Sequence, residues 1–234
     1  MNLSKLESEV YEKFKELDLR VFSVNNLCLL MNMNKTKAYN IIKSLSKKKV
    51  LIKVGKRKFS LSGTNEFEIA TEINFPSYIS FWSALNYYGF SDNTPKKIFV
   101  VSTKYSKDIE NFKFVTLSKK KFFGYTSIGR ITIAEKEKAI IDSLIFPRYS
   151  GGIKEVRISL KRAINELNLK KMIDYVLKIG SKSAIRRLGF LLDSLKVGGL
   201  KRLEKKIGKG FELLDPNLEK KNNLNKKWLP DINI

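Results

Sequence analysis

The chain has 234 residues, of which 43% are hydrophobic and 11% aromatic, which favours a globular protein of one large or two small domains. Histidine is absent and Cys28 is the only cysteine. These absences exclude Ser-His and Cys-His nucleophilic pairs, histidine metal ligands and cysteine-based zinc sites. Lysine and arginine number 46 against 23 acidic residues, a formal net charge of +23. This charge implies a polyanionic partner: nucleic acid, with an anionic membrane or an acidic protein as rivals.

Cysteine content and hydropathy also bear on the compartment. Cys28 has no partner for an internal disulfide, and its apolar neighbours predict a thiol in a hydrophobic core. No apolar run near the amino terminus resembles a signal peptide, and no stretch approaches membrane-spanning length. The sequence therefore predicts a cytoplasmic protein that does not associate with membranes.

Residues 23–61 predict a winged helix-turn-helix, preceded by a helix over residues 3–17. A short helix over residues 24–31 and a tight turn at Asn32-Met33 form the first half of the motif. Asn34 is a suitable N-cap for the second helix, because its side-chain oxygen can accept from free amides of the first turn. One face of this second helix is apolar at the i, i+3, i+4, i+7 spacing: Ala38, Ile41, Ile42 and Leu45.

The opposite face of this helix carries cations, hydroxyls, an amide and an aromatic ring. Lysines neutralise phosphates, and the Asn40 amide suits the edge of an adenine in the major groove. Residues 51–54 and 58–61 predict a hairpin with a basic tip, the wing. The predicted DNA contacts on the helix and the wing are Thr36, Lys37, Tyr39, Asn40, Lys43, Ser44, Lys47, Lys56, Arg57 and Lys58. The alternative is a helical hairpin whose charged face is merely solvated.

The residue after the second helix departs from the usual motif. Lys49 stands where helix-turn-helix proteins often have glycine. Since a left-handed backbone there would be strained for lysine, we expect the chain to leave the helix by a different geometry.

Polar residues 62–65 predict a domain boundary. We expect a DNA-binding domain over residues 1–62, a linker over residues 63–75 and a second domain over residues 76–234. A short helix over residues 66–74 is predicted inside the linker, because Phe75-Pro76 should end it.

The second domain mixes β-rich segments with amphipathic ones. Its tail, residues 201–234, is expected to pack back in part, since it retains Phe211 and Trp228. The predicted fold class is α+β: the winged helix-turn-helix, then a mixed α/β domain with a small sheet and several helices. The predicted strands are 98–102, 113–117 and 129–133, and the predicted helices are 77–89, 134–146, 153–167, 169–179 and 182–195.

Two charged clusters allow more than one interpretation. Glu135, Glu137 and Asp142 with a lysine match a metal-dependent nuclease, but an acidic helix N-terminus explains the same residues. Arg186-Arg187 fits either a phosphate clamp or an exposed helical surface, and the latter is favoured. We therefore predict a non-catalytic protein without a cofactor or metal.

A series of short motifs runs through the second domain and, with the winged helix, extends a resemblance to one known family over nearly the whole chain. The first matching motifs are Tyr78-Ile79-Ser80, Ser83-Ala84-Leu85, Tyr88-Gly89-Phe90, Thr94-Pro95 and the strand at 98–103. The later ones are Ala134-x-x-Glu137 through Ile141-Asp142, Pro147, Gly151-Gly152-Ile153-x-Glu155-Val156, 184–191 with Arg186-Arg187, 211–216, Lys227-Trp228 and Asn233.

In their order and number these motifs resemble the AbiEi antitoxin family. The resemblance implies an antitoxin that represses its own operon through the winged helix. Its functional partner would be a nucleotidyltransferase-like toxin, without an assumed direct complex. Double-stranded DNA upstream of the operon would be the ligand. A ligand-sensing winged-helix transcription factor without a toxin, and the metal-dependent nuclease, remain the alternatives.

Overall fold

The computed structural model describes residues 2–234, and the predicted α+β class is confirmed. Hydrophobic side chains form two clusters, one within residues 3–61 and another formed mainly by residues 67–234. Val21 and Val54 belong to the second cluster although they precede it in the chain. Every helix among the described residues is too short or too polar to cross a membrane.

The first cluster holds three helices and a hairpin in the predicted order. Ser4 and Ser23 cap the first two helices with capping boxes, and Asn34 caps the third by accepting from Lys37 N at 2.9 Å. The elements are α1 (Lys5–Glu16), α2 (Val24–Met31), α3 (Lys35–Lys47), β1 (Leu51–Gly55) and β2 (Lys58–Leu61).

The apolar stripe of α3 faces inward as predicted. Ala38, Ile41, Ile42 and Leu45 are buried in the first cluster. Cys28 is only partly buried at the edge of this cluster, so the predicted core thiol is peripheral. This packing turns the polar face of α3 to solvent.

The prediction for Lys49 is wrong. Lys49 has φ +58°, the left-handed conformation that we expected lysine to avoid. The strain is of the order of 1–2 kcal/mol, and helix-ending hydrogen bonds offset it. Lys49 N donates to Ser46 O and Val50 N to Leu45 O, both at 3.0 Å, while the Ser62 hydroxyl donates to Lys49 O.

The predicted linker is part of the second cluster. Helix α4 (Glu66–Ile73) buries Ile69, Ala70 and Ile73 there, so residues 63–75 are not a free connection. The predicted helix at 77–89 is wrong at its start: β3 (Ser77–Ile79) precedes α5 (Phe81–Tyr87). Since all of β3 is buried, its pairing in the sheet outweighs local helix preference.

A mixed six-stranded sheet of order β5-β6-β4-β3-β8-β7 forms the centre of the second cluster. The pairs β4–β6 and β3–β8 are parallel, and the other neighbours are antiparallel. The strand predicted at 129–133 is one arm of the β7–β8 hairpin, and the one predicted at 113–117 starts a residue earlier. The strands are β4 (Ile98–Ser102), β5 (Lys107–Ile109), β6 (Phe112–Thr116), β7 (Tyr125–Ile128) and β8 (Ile131–Ala134).

Five helices and a short parallel pair of strands complete the second unit. The helices are α6 (Lys136–Ile145), α7 (Gly152–Ala163), α8 (Leu169–Ile179), α9 (Lys182–Ser194) and α10 (Lys201–Glu204), and the strands are β9 (Glu212–Leu213) and β10 (Pro230–Asp231). The tail packs back as predicted, because Trp228 is fully buried against Gly189. A Cβ at Gly189 would lie 2.1 Å from the Trp228 ring, so only glycine fits there.

The two units contact each other through charged groups. Arg20, just before α2, forms ion pairs with Glu68 and Glu72 of α4. Lys58 of β2 donates to Ile73 O at 2.6 Å. The winged helix is thus fixed against the second unit at α4.

Candidate nucleic-acid interface

The outward face of α3 is the first part of the candidate interface. Among the described residues, the predicted contacts on its exposed side form no intramolecular ion pair. The side-chain amide of Asn40 has no hydrogen-bond partner among these residues either. The exposed residues of this face are Thr36, Lys37, Tyr39, Asn40, Lys43 and Lys47. They therefore offer donors and positive charge to solvent.

The wing supplies the second part. Lys56 and Arg57 form the two-residue turn between β1 and β2, and both are exposed without an ion pair among the described residues. Arg57 has φ +58°, in the left-handed region, whereas Lys56 does not have a positive φ. The turn thus presents two cations side by side.

Helix and wing meet around one concavity of about 310 Å³. It lies between the N-termini of α2 and α3 and the wing, and its walls include Lys35, Tyr39 and Arg57. Lys35 was not among the predicted contacts. Its position at the start of α3, four residues before Tyr39, is the signal that would have found it.

Two predicted contacts are engaged inside the protein. The Ser44 hydroxyl donates to Glu7 Oε1 at 2.6 Å, and thereby joins α3 to α1. Lys58 is half-buried, and its ammonium binds the Ile73 carbonyl. Burial lowers the pKa of Lys58 first, and the nearby Lys107 and Lys104 lower it further. Each of these side chains therefore links two elements of the protein.

Glu7 is a carboxylate that lies beside the exposed face of α3. It lines a groove of about 460 Å³ with Thr36 and Asn40. Lys48 and Ser44 donate to it at 2.6 Å each, and these bonds, with the Ser4 amide, lower its pKa to about 2. Glu7 therefore stays ionised at neutral pH, with its charge compensated by Lys48 within the protein.

The acidic residues proposed for a nuclease have other partners. Asp142 is fully buried, where it forms an ion pair with Lys138 and accepts from Tyr78 and Ser80 at 3.0 and 2.8 Å. Burial lowers the pKa of Lys138 and raises that of Tyr78.

The other two carboxylates of the cluster are also engaged. Tyr175 donates to Glu135 at 2.5 Å, and Asn168 N donates to Glu137 at 2.8 Å. No three acidic or cysteine side chains within residues 2–234 are arranged to hold a metal ion.

The prediction that Arg186 and Arg187 lie on exposed helical surface is wrong. Both are buried, at 4% and 6% exposure. Arg187 donates to the carbonyls of Leu144 and Leu214 at 2.8 Å and of Leu213 at 3.4 Å, and burial lowers its pKa. Arg186 donates to carbonyls of the tail and pairs with Glu212 at 3.1 Å. The phosphate-clamp interpretation loses its basis too, since these donors bind backbone.

Several motifs that carry the AbiEi resemblance make packing contacts. Glu155 accepts from Ser91 at 2.5 Å and so ties α7 to the loop after α5. Asp215 accepts from Ile153 N at 2.7 Å, which joins the start of α7 to the tail. A Cβ at Gly152 would lie 2.8 Å from the Asp215 carboxylate. These positions therefore stabilise the packing of the second unit.

Comparison with known proteins bears on the fold alone. No known family model matches the chain, and no curated protein sequence does either. The crystal structure of the RV2827C protein from Mycobacterium tuberculosis is similar, with a TM-score of 0.70 at 13% identity. The match covers 98% of this chain and 92% of that one. Both units therefore have a counterpart in a solved structure.

Proposed function

We propose that this protein is a DNA-binding repressor of its own operon and an antitoxin of the AbiEi type. The observation that carries the DNA-binding part is the free polar face of α3, which lies beside the basic wing. Catalysis is not part of the proposal, and no cofactor is required.

The geometry suits a duplex in a definite orientation. A helix fits the major groove, where the Asn40 amide can pair with the N6 and N7 positions of adenine. Lys43 and Lys47 lie one turn apart on the same face, and would neutralise phosphates beside that groove. Arg57 extends from the wing on the Tyr39 side of α3, which places it over the adjacent backbone or minor groove.

The antitoxin part rests on the sequence resemblance. It assigns the counteraction of a nucleotidyltransferase-like toxin to the second unit, without a stable complex between the proteins. No residue of the second unit is assigned an effector role.

A mobility shift with the DNA upstream of the protein's own gene tests the first part. Asn40→Ala should lose about 1–3 kcal/mol of discrimination between this DNA and unrelated DNA. Lys43→Ala should weaken both complexes alike, and should reduce the slope of log affinity against log salt by about one.

Lys161→Ala, at an exposed position of α7, is the matched charge control and should change neither property. DNA that is not retarded at low salt, or a control variant that weakens binding as much as Lys43→Ala, would defeat the proposal.

Co-expression with the product of the neighbouring gene tests the second part. An antitoxin restores growth when that product is toxic, and the Asn40→Ala variant should still do so because the second unit is intact. Unchanged toxicity with the wild-type chain would favour the ligand-sensing transcription factor instead.

A further inference from the structure

A cavity of about 670 Å³ lies in the second unit, and none of its lining residues belongs to α3 or the wing. Its walls come from α5, the loop at 93–97, strands β4 to β6 and the short 3₁₀ helix at Pro147–Ser150. This volume falls in the range of small-molecule sites, which are about 300–1,000 Å³.

One side of the cavity is aromatic. Trp82, Phe99 and Tyr149 line it, and each is only partly covered by the protein. The rings of Phe99 and Tyr149 lie 5.7 Å apart, and the Trp82 indole N–H donates to Ser91 at 2.9 Å. Because these contacts fix the rings, they provide a rigid apolar wall for a flat ligand.

The rim of the cavity also carries cations. Lys96 and Arg148 are exposed and have no ion pair among the described residues, and the Arg148 guanidinium lies 4.6 Å from the Tyr149 ring centre. Lys97 and Lys113 share Asp108 at 3.1 and 2.8 Å. The lining thus has four cations and one carboxylate, and Lys96 and Arg148 are the cations available to an anion.

We propose that this cavity binds a free nucleoside phosphate. The base lies against Trp82, Phe99 and Tyr149, and the phosphate lies between Lys96 and Arg148. An aromatic wall alone would suit any flat apolar molecule, and cations alone would suit any anion. The two together select a ligand that has both a ring and a phosphate.

Asp108 determines which cations of the lining remain available to a phosphate. Lys113 and Lys97 hold the pKa of Asp108 below the ordinary value, so its carboxylate remains ionised and stays paired with those two lysines. The phosphate is therefore directed toward Arg148 and Lys96, on the side next to Tyr149. This direction predicts that Arg148 matters more for affinity than Lys113.

Tryptophan fluorescence provides the test, since Trp82 and Trp228 are the only tryptophans and Trp228 is fully buried. We expect ADP, added to the full chain at physiological ionic strength, to quench the emission saturably. Adenosine lacks the phosphate and pyrophosphate lacks the ring, so each should bind at least about tenfold more weakly. Trp82→Phe should abolish the quench, while calorimetry still detects ADP binding.

Arg148→Ala should weaken ADP about tenfold, whereas Arg157→Ala, an exposed arginine of α7 outside the cavity, should leave it unchanged. The proposal would be overturned if pyrophosphate bound as tightly as ADP, or if Arg148→Ala and Arg157→Ala lost the same affinity for ADP. The absence of a saturable quench would overturn it too. Tighter binding of a hexaglutamate peptide than of ADP would also overturn it, in favour of an acidic protein segment. None of these results depends on DNA binding by α3.

Discussion

Cations on α3 and the wing have surroundings opposite to those of two cations in the core of the second unit. In α3 and the wing, Lys43, Lys47 and Arg57 extend into solvent without ion-pair partners among the described residues. In α6 and α9, Lys138 and Arg187 are buried and bind groups of their own chain. Net charge therefore overstates the positive surface available to a polyanion, because part of the charge stabilises the second unit.

The largest expected effect is at Lys138. Lys138→Ala removes the partner of a fully buried carboxylate, so we expect a loss of about 3–5 kcal/mol in unfolding free energy. Lys136→Ala breaks a solvent-exposed pair with Glu166 and two cation–π contacts, with Tyr88 and Phe90, that are near the limit of their range, and should cost about 0–1 kcal/mol. Urea denaturation of the full chain measures both.

Replacement of the whole pair refines the same test. Lys138→Met combined with Asp142→Leu should be more stable than Lys138→Ala alone, because no charge is then left buried. If Lys138→Ala, Lys136→Ala and the double variant all had wild-type stability, water would have to reach Asp142. The second unit would then be less tightly packed than its burial indicates.

The second-largest loss of unfolding free energy is expected at Arg187. Arg187→Met keeps much of the apolar contact but leaves two buried carbonyls and one partly buried carbonyl without this donor, so we expect a loss of about 2–4 kcal/mol. Arg202→Met, which removes an exposed pair with Asp174, is the control. Limited proteolysis should cut the tail faster only in the first variant, and equal cleavage would contradict the internal role of Arg187.

Glu7 should give a smaller, pH-dependent effect. Its pKa is about 2 in the folded chain against 4.5 for a free side chain, so its ionised form stabilises the fold fully above about pH 5. Glu7→Gln should therefore cost about 1–2 kcal/mol at pH 7, and this difference should disappear as the pH falls to about 2.

Thermal unfolding across that pH range measures the difference between wild type and Glu7→Gln. The matched variant is Glu9→Gln, at an exposed position of α1. A cost for Glu7→Gln that is constant with pH would show that packing, rather than charge, is lost.

The smallest effects separate two neighbouring wing residues. Arg57→Ala should lower the salt slope of DNA binding by about one, because Arg57 is free to contact a phosphate. Lys58→Met should leave the slope unchanged, since its ammonium already binds the Ile73 carbonyl. Equal slopes for both variants would mean that Lys58 leaves Ile73 when DNA binds.

Local patterns in the sequence determined much of the first unit. The Asn34 cap, the apolar stripe of α3 and the hairpin at 51–61 follow from nearest-neighbour spacing, and the structure has all three. Their residues interact within a few positions, so periodicity and capping suffice to predict them. The exposed half of the candidate interface followed from the same helical geometry.

Tertiary structure decided the rest, because the partners lie far apart in the chain. Arg187 meets carbonyls 26 to 43 positions away, Lys58 meets Ile73, and β3 pairs with β4 and β8. No local pattern distinguishes a buried arginine from an exposed one when its acceptors are backbone groups of a distant tail. For the same reason, the cavity beside Tyr149 could not be read from the sequence: its walls meet only when the sheet and the loop at 93–97 come together.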